Sequence, residues 1–114
     1  MLQPQSLIFH IADRADWQNQ QQTQSYRHPS LDAEGFIHCS TAQQVAWVAN
    51  SFFPGQSGLV LLWIDRDRLQ SPLQFDAVEG IGRFPHIYGE INRDAVVQVT
   101  EFEPDLDGKF IFTD

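Results

Sequence analysis

Leu59-Val60-Leu61-Leu62-Trp63-Ile64 is the longest apolar run in the chain, and it carries no polar residue on either alternating face. Side chains alternate across a strand, so a strand that is apolar at every position needs cover on both sides. The run is far short of the roughly 20 residues that span a bilayer, and too short for an ordinary helix. It predicts the central strand of a sheet, and the rest of the chain has to cover both of its faces.

Upstream, Leu7-Ile8-Phe9-His10-Ile11 predicts a strand with Leu7, Phe9 and Ile11 on one face and Ile8 and His10 on the other. Asp13 then caps a short polar helix anchored by Trp17, which runs out in the Gln-rich stretch Gln18 to Gln24, read as a mobile loop. Tyr26 to Glu34 has no apolar period and reads as a loop; Gly35-Phe36-Ile37-His38-Cys39 reads as a short strand. Ser40-Thr41-Ala42-Gln43 matches a capping box at the start of a helix reaching Phe52, with Val45, Val48, Ala49 and Phe52 sharing one face. Pro54-Gly55 ends it. Downstream, Leu73 to Val78 is a weaker strand and Pro85 to Gly89 a turn or short strand. Asn92 caps a single helical turn before a strand at Ala95 to Val99, and Phe110-Ile111-Phe112 adds a final edge strand. With neither repeat nor linker, residues 1–114 read as a single α+β domain with a few short helices.

Hydrophobic residues make up 42% of the 114, enough for one core, and the lone Cys39 excludes an internal disulfide, which suits a reducing cytoplasm. Met1 to Ser6 is polar and no signal-like apolar segment follows, so the chain reads as soluble, cytoplasmic and free of membrane. Seven Lys and Arg stand against 15 Asp and Glu, a net charge of −8, and the basic residues are scattered. Such a surface repels phosphodiester backbones, which excludes extended nucleic-acid binding but not a single nucleotide held by local arginines. Oligomeric state is not legible; Trp47, off the apolar face of its helix, is either partly exposed or a subunit contact.

The chemistry gathers on histidine. His10, His38 and His86 all sit inside apolar strand-like segments, while His28 lies in the predicted loop. One such residue alone reads as a satisfied core histidine. Three in a small domain point to a shared pocket, because a buried imidazole needs a partner for each nitrogen. A zinc site from these three, with or without Cys39, lacks close His-x-His spacing, and alternation turns Cys39 away from His38, so no metal is assigned. Cys39 as a nucleophile, beside a helix start, is the weaker reading against a buried thiol.

Ile8-Phe9-His10-Ile11-Ala12, Tyr26-Arg27-His28-Pro29-Ser30-Leu31, Glu34-Gly35-Phe36-Ile37-His38-Cys39-Ser40-Thr41 and Phe84-Pro85-His86-Ile87-Tyr88-Gly89 together resemble the ordered motifs of the bacterial domain-of-unknown-function family 952, over about residues 7 to 100. The resemblance implies an ADP-ribosyltransferase-like split β-sheet fold with a cleft for nicotinamide-adenine dinucleotide (NAD). Within that group, His10 and the segment Ile37-His38-Cys39-Ser40 are similar to the paired histidine motifs of the RNA 2′-phosphotransferases. Those enzymes place an arginine beside the first histidine, where this chain has Phe9. The implied ligand is a small, nucleotide-like molecule such as NAD or ADP-ribose, with His10, His38 and His86 as the catalytic set. Tyr26, Arg27, Ser40 and Tyr88 follow as binding candidates, and Phe36 or Tyr88 as a stacking surface. Glu90 is the nearest candidate for a transferase glutamate, with a solvated turn residue as its alternative, and Arg27 and Arg83 stand as phosphate grips or plain surface arginines. The residues leave open an ADP-ribosyl-type transferase and a non-catalytic small-ligand module.

Overall fold

The computed structural model describes residues 6–113; the polar start at Met1 to Ser6 lies, apart from Ser6, outside the described residues. The predicted central strand is β4 (Leu59–Asp65), flanked antiparallel by β1 (Leu7–Asp13) and β8 (Val96–Phe102). A second three-stranded antiparallel sheet runs β3 (Ile37–His38), β6 (Gly82–Ile87), β5 (Leu73–Val78), and β2 (Ser25–Tyr26) pairs with β7 (Ile91–Asn92). Among the described residues three short α-helices complete the fold, α1 (Arg14–Asn19), α2 (Ser30–Glu34) and α3 (Val45–Phe52), beside 3-10 turns at Arg66–Arg68 and Arg93–Ala95.

Both faces of β4 are covered, and by different material. Val60, Leu62 and Ile64 join Ile8, Ala12, Trp17, Tyr26, Ile37 and Ile87 in one core. Leu59 and Leu61 join Phe9, Ile11, Val45, Ala49, Phe102 and Phe110 in the other. The alternation read in β1 therefore divides as expected, Ile8 and His10 to one side, Phe9 and Ile11 to the other. Asp13 caps α1 with one carboxylate oxygen accepting from the amides of Ala15 and Asp16 at 2.9 and 3.2 Å, a cap worth about 1 kcal/mol. The Gln-rich stretch after α1 is held: Arg93 donates to the carbonyls of Gln20 and Thr23, and its guanidinium lies 4.2 Å from the Trp17 ring centre.

Five expectations fail, most of them for local physical reasons. Tyr26 to Glu34 is not a plain loop, because Tyr26 pairs with Ile91 and a single-turn helix follows, closed by Gly35 at φ 89°. A two-residue strand and a five-residue helix are too short to carry a hydrophobic period. Ser40 does not cap α3; it is extended and pairs with Phe9 through two backbone hydrogen bonds of 2.8 and 2.7 Å. The reciprocal glutamine contact belongs one residue later, Gln44 Oε1 accepting the Thr41 amide at 3.0 Å, and regular helix begins at Val45. Phe52, expected on the buried face of α3, is 63% exposed. Phe110 to Phe112 forms no strand, because Asn50 supplies the ladder's hydrogen bonds from its side chain, accepting from the Phe110 amide (2.8 Å) and donating to its carbonyl (3.0 Å). The single turn expected after Asn92 is there, a 3-10 turn at Arg93–Ala95, but the Asn92 side chain makes no capping bond to it; its amide bridges the backbone of Gln70 and Arg68.

Candidate functional site

Strand pairing brings the histidines together. In the β3–β6 register His38 lies opposite His86, and two residues beyond His38 the chain pairs Ser40 with Phe9 of β1. That crossing sets His10 beside β3, where its Nδ1 donates to the His38 carbonyl at 2.7 Å. His28 closes the group, its ring edge-on to His10 at 5.3 Å. All four imidazoles line one cavity of about 370 Å³, whose walls are Phe9, Ile11, Val48, Phe53 and Phe84 with the partly exposed Trp47, Phe52, Val78 and Ile81. Cys39 and Ser40 complete the lining, and among the described residues no Lys, Arg, Asp or Glu side chain takes part.

The four rings have different tasks, and their partners fix their tautomers. A carbonyl only accepts, so His10 carries its proton on Nδ1, and its Nε2 accepts from the buried Tyr26 hydroxyl at 3.4 Å. Burial pushes His10 down to about 3, so the ring is neutral and both nitrogens are occupied. Burial holds the Tyr26 phenol and the Cys39 thiol above their ordinary values, so neither ionises near neutrality. His28 Nδ1 accepts the Ser30 amide at 3.0 Å, leaving its proton on Nε2. Burial first, then His38, favours the neutral form of His28.

His38 and His86 each rest on a carboxylate. His38 Nε2 donates to Glu34 at 2.9 Å at the half-exposed rim. His86 is buried, its Nδ1 donating to Asp76 Oδ2 at 2.8 Å and its ring stacked on Phe36 with centroids 4.1 Å apart and planes at 17°. Tyr88 donates to the same Asp76 oxygen, and the Tyr88 and His86 hydrogen bonds hold the Asp76 carboxyl below the usual range. The His38 and His86 rings meet edge to face at 5.2 Å. Every buried side-chain nitrogen and oxygen among the described residues has a partner, so the His86 Nε2, which has none, opens to the cavity.

Of the residues singled out from the sequence, His10, His38, His86 and Ser40 line the cavity. Tyr26 lies behind His10, and Tyr88 behind His86. Arg27 lies outside, exposed and paired with Asp32 and Glu90, and Glu90 accepts in addition from Ser25. Arg83 donates to the Phe75 carbonyl, and one face of Phe36 is taken by His86. The carboxylates that serve the histidines are Glu34 and Asp76, neither of which the sequence reading gave a role. Glu34 stands four residues before His38, a spacing that was visible. Asp76 meets His86 only through the β5–β6 hairpin, where Gln74 faces His86 and Asp76 lies one diagonal step away.

Residues 11–99 match the family described as a protein of unknown function, DUF952. The chain belongs to the DUF952 family. The match takes in His28, His38, Asp76 and His86 and begins one residue after His10. Protein CC0527 from Caulobacter crescentus has the same architecture: its crystal structure is 32% identical, with a TM-score of 0.83, and the alignment covers 92% of this chain and 93% of that one. Its solution structure aligns with a TM-score of 0.79 at 32% identity, covering 91% and 90%. No curated protein matches the chain. DUF952 in this chain is thus a mixed α and β fold of small antiparallel sheets with few helices. No described helix is long and apolar enough to cross a membrane.

Proposed function

We propose that this DUF952 protein binds a small, neutral, mostly apolar molecule, aromatic in the best-fitting case, with its polar head on the imidazole floor. The observation that carries this is the lining. The walls are aliphatic and aromatic, the polar groups are four imidazoles with the Ser40 hydroxyl and the Cys39 thiol, and among the described residues no fixed charge of either sign lines the space. Ligand pockets have this composition, and about 370 Å³ lies at the small end of their range. Desolvating a dianionic pyrophosphate there would need a cation that the lining lacks.

The nucleotide reading is the second one. NAD or ADP-ribose would be held by His10 and His38 in an ADP-ribosyltransferase-like cleft. Its support is the pair of three-stranded sheets meeting at the Phe9–Ser40 bridge, with the two histidines hydrogen-bonded across that seam. It asks for a ribose contact from His10, whose nitrogens are both engaged, and for pyrophosphate donors near α3, where Gln44 already takes the Thr41 amide.

The two readings separate in one titration. Calorimetry and tryptophan fluorescence with indole, benzamide and nicotinamide, against NAD, ADP-ribose and AMP, test both sets. Saturable binding of the neutral aromatics, with a fluorescence change lost in Trp47→Phe, is the expected result. Saturable binding of NAD or ADP-ribose with no response to the neutral compounds overturns the first reading in favour of the second.

A further inference from the structure

We propose that His86, held by Asp76, is a general base that removes a proton from an acidified carbon of the molecule seated in this pocket. The inference rests on the ligand-binding reading above and adds an activity to it. Its ground is the geometry of one ring. Asp76 fixes the His86 proton on Nδ1, which leaves the lone pair on Nε2 open to the cavity with no partner among the described residues. Phe36 stacks flat on the ring and sets its plane. Tyr88, on the same carboxylate oxygen, is a positioning residue for Asp76. A base aimed by a second group that is itself hydrogen-bonded is the usual build of a general-base site.

The surroundings select the kind of proton. Among the described residues the cavity offers no ionised nucleophile, because the Cys39 thiol is buried and held protonated. Apolar walls disfavour an attacking water and a phosphate equally. A carbon acid, with its C–H beside a carbonyl, an imine or a heteroaromatic ring, needs only a desolvated base and a donor for the charge that develops. His28 has such a donor, since its Nδ1 lone pair is used by Ser30 and its proton sits on Nε2. In the step itself the C–H proton passes to His86 Nε2. The C–H electron pair moves into the substrate, onto oxygen or nitrogen, or into a bond that expels a leaving group. The imidazolium, stabilised by Asp76, then returns its proton to product or solvent. No oxidant or second reactant enters.

The probe is 5-nitrobenzisoxazole, a neutral aromatic whose ring opens when a base takes its C–H proton. A C≡N bond forms, the N–O bond breaks, and a coloured cyanonitrophenolate leaves. The expected result is ring opening at least about 100-fold faster than with the same concentration of free imidazole, within the usual range for a positioned base. His86→Gln should lose at least tenfold of it. Asp76→Asn keeps the ring and removes the charge behind it, so its rate plateau should fall and the pH of half-maximal rate move down. A merely structural Asp76 would lower the rate without moving that pH. The charged and titrating groups around His86 are Asp76, Tyr88, His38 and Glu34, with Arg83 beside Asp76, and Asp76→Asn alters one of them. If His86→Gln does not fold, the Asp76→Asn profile decides. Probe bound by fluorescence with no acceleration overturns the base and leaves the pocket reading intact, as does acceleration unchanged in His86→Gln. A probe that does not bind overturns both.

Discussion

His10 makes the stability of the fold depend on pH between about 3 and 6.5, and the dependence can be worked from the structure. The ring is 3% exposed, donates to the His38 carbonyl and accepts from Tyr26, an arrangement available only to the neutral imidazole. Its folded-state value is pushed down to about 3 from the ordinary 6.5, chiefly by burial. The unfolded chain is then the better proton binder between those values. The contribution of His10 is complete above 6.5 and is lost as the pH falls. Each pH unit is worth about 1.4 kcal/mol, so by pH 4.5 the loss is on the order of 2.5–3 kcal/mol, a large part of the stability of a small domain. His10→Asn isolates the effect, because an amide N–H reaches toward the His38 carbonyl and does not titrate. Urea midpoints and slopes at pH 7, 6, 5 and 4.5 give the free energies. The variant should start lower, with the Tyr26 hydroxyl unpaired, and fall less steeply than the parent, by about 2.5–3 kcal/mol across the interval. The groups that share the trend, His28 and the carboxylates of Glu34, Asp76 and Glu90, are common to both chains and drop out of the difference. Equal slopes in parent and variant would refute the reasoning.

Two further outcomes follow from single contacts. Cys39, 4% exposed and with its thiol pushed up by burial, should not react with a disulfide reagent such as Ellman's in the native state and should react fully in urea; rapid native labelling would contradict the packing. Asn50→Ala removes both hydrogen bonds to Phe110 and leaves that peptide's amide and carbonyl unpaired, so it should cost about 2–3 kcal/mol by urea unfolding and make the chain after Phe102 sensitive to limited proteolysis. An unchanged urea midpoint would mean that aromatic packing of Phe110 and Phe112 alone holds the segment.

What the sequence discloses here depends on the range of the force involved. β4 was legible because burial on both faces leaves no alternative composition, and β1 because alternation survives in a single strand. The Asp13 cap was legible because it acts over two residues. Ser40 was misassigned because two mechanisms compete for the same residue type. Serine before a helix signals a cap, but its backbone was already committed to Phe9, a partner more than thirty residues away that no local rule reveals. The gathering of His10, His38 and His86 could be argued from the demand that buried imidazoles be partnered, without knowing the partners. Glu34 escaped because its five-residue helix was read as a loop, and Asp76 because it lies on a half-exposed strand read as weak. His28 escaped because its segment was read as a loop.

The cavity divides its construction between two kinds of element. The histidines stand on or beside strands tied together by backbone hydrogen bonds, which are indifferent to side-chain identity. Much of the wall comes from α3, through Trp47, Val48 and Phe52, and from the end of the β5–β6 hairpin, through Val78 and Ile81. Those wall residues carry no part of the imidazole network. Substitutions there would reshape the cavity without removing any partner of the imidazoles, so on the binding function proposed above they would alter preference while leaving the floor in place. A library confined to those five positions is therefore the place to test whether cavity shape alone governs the proposed binding.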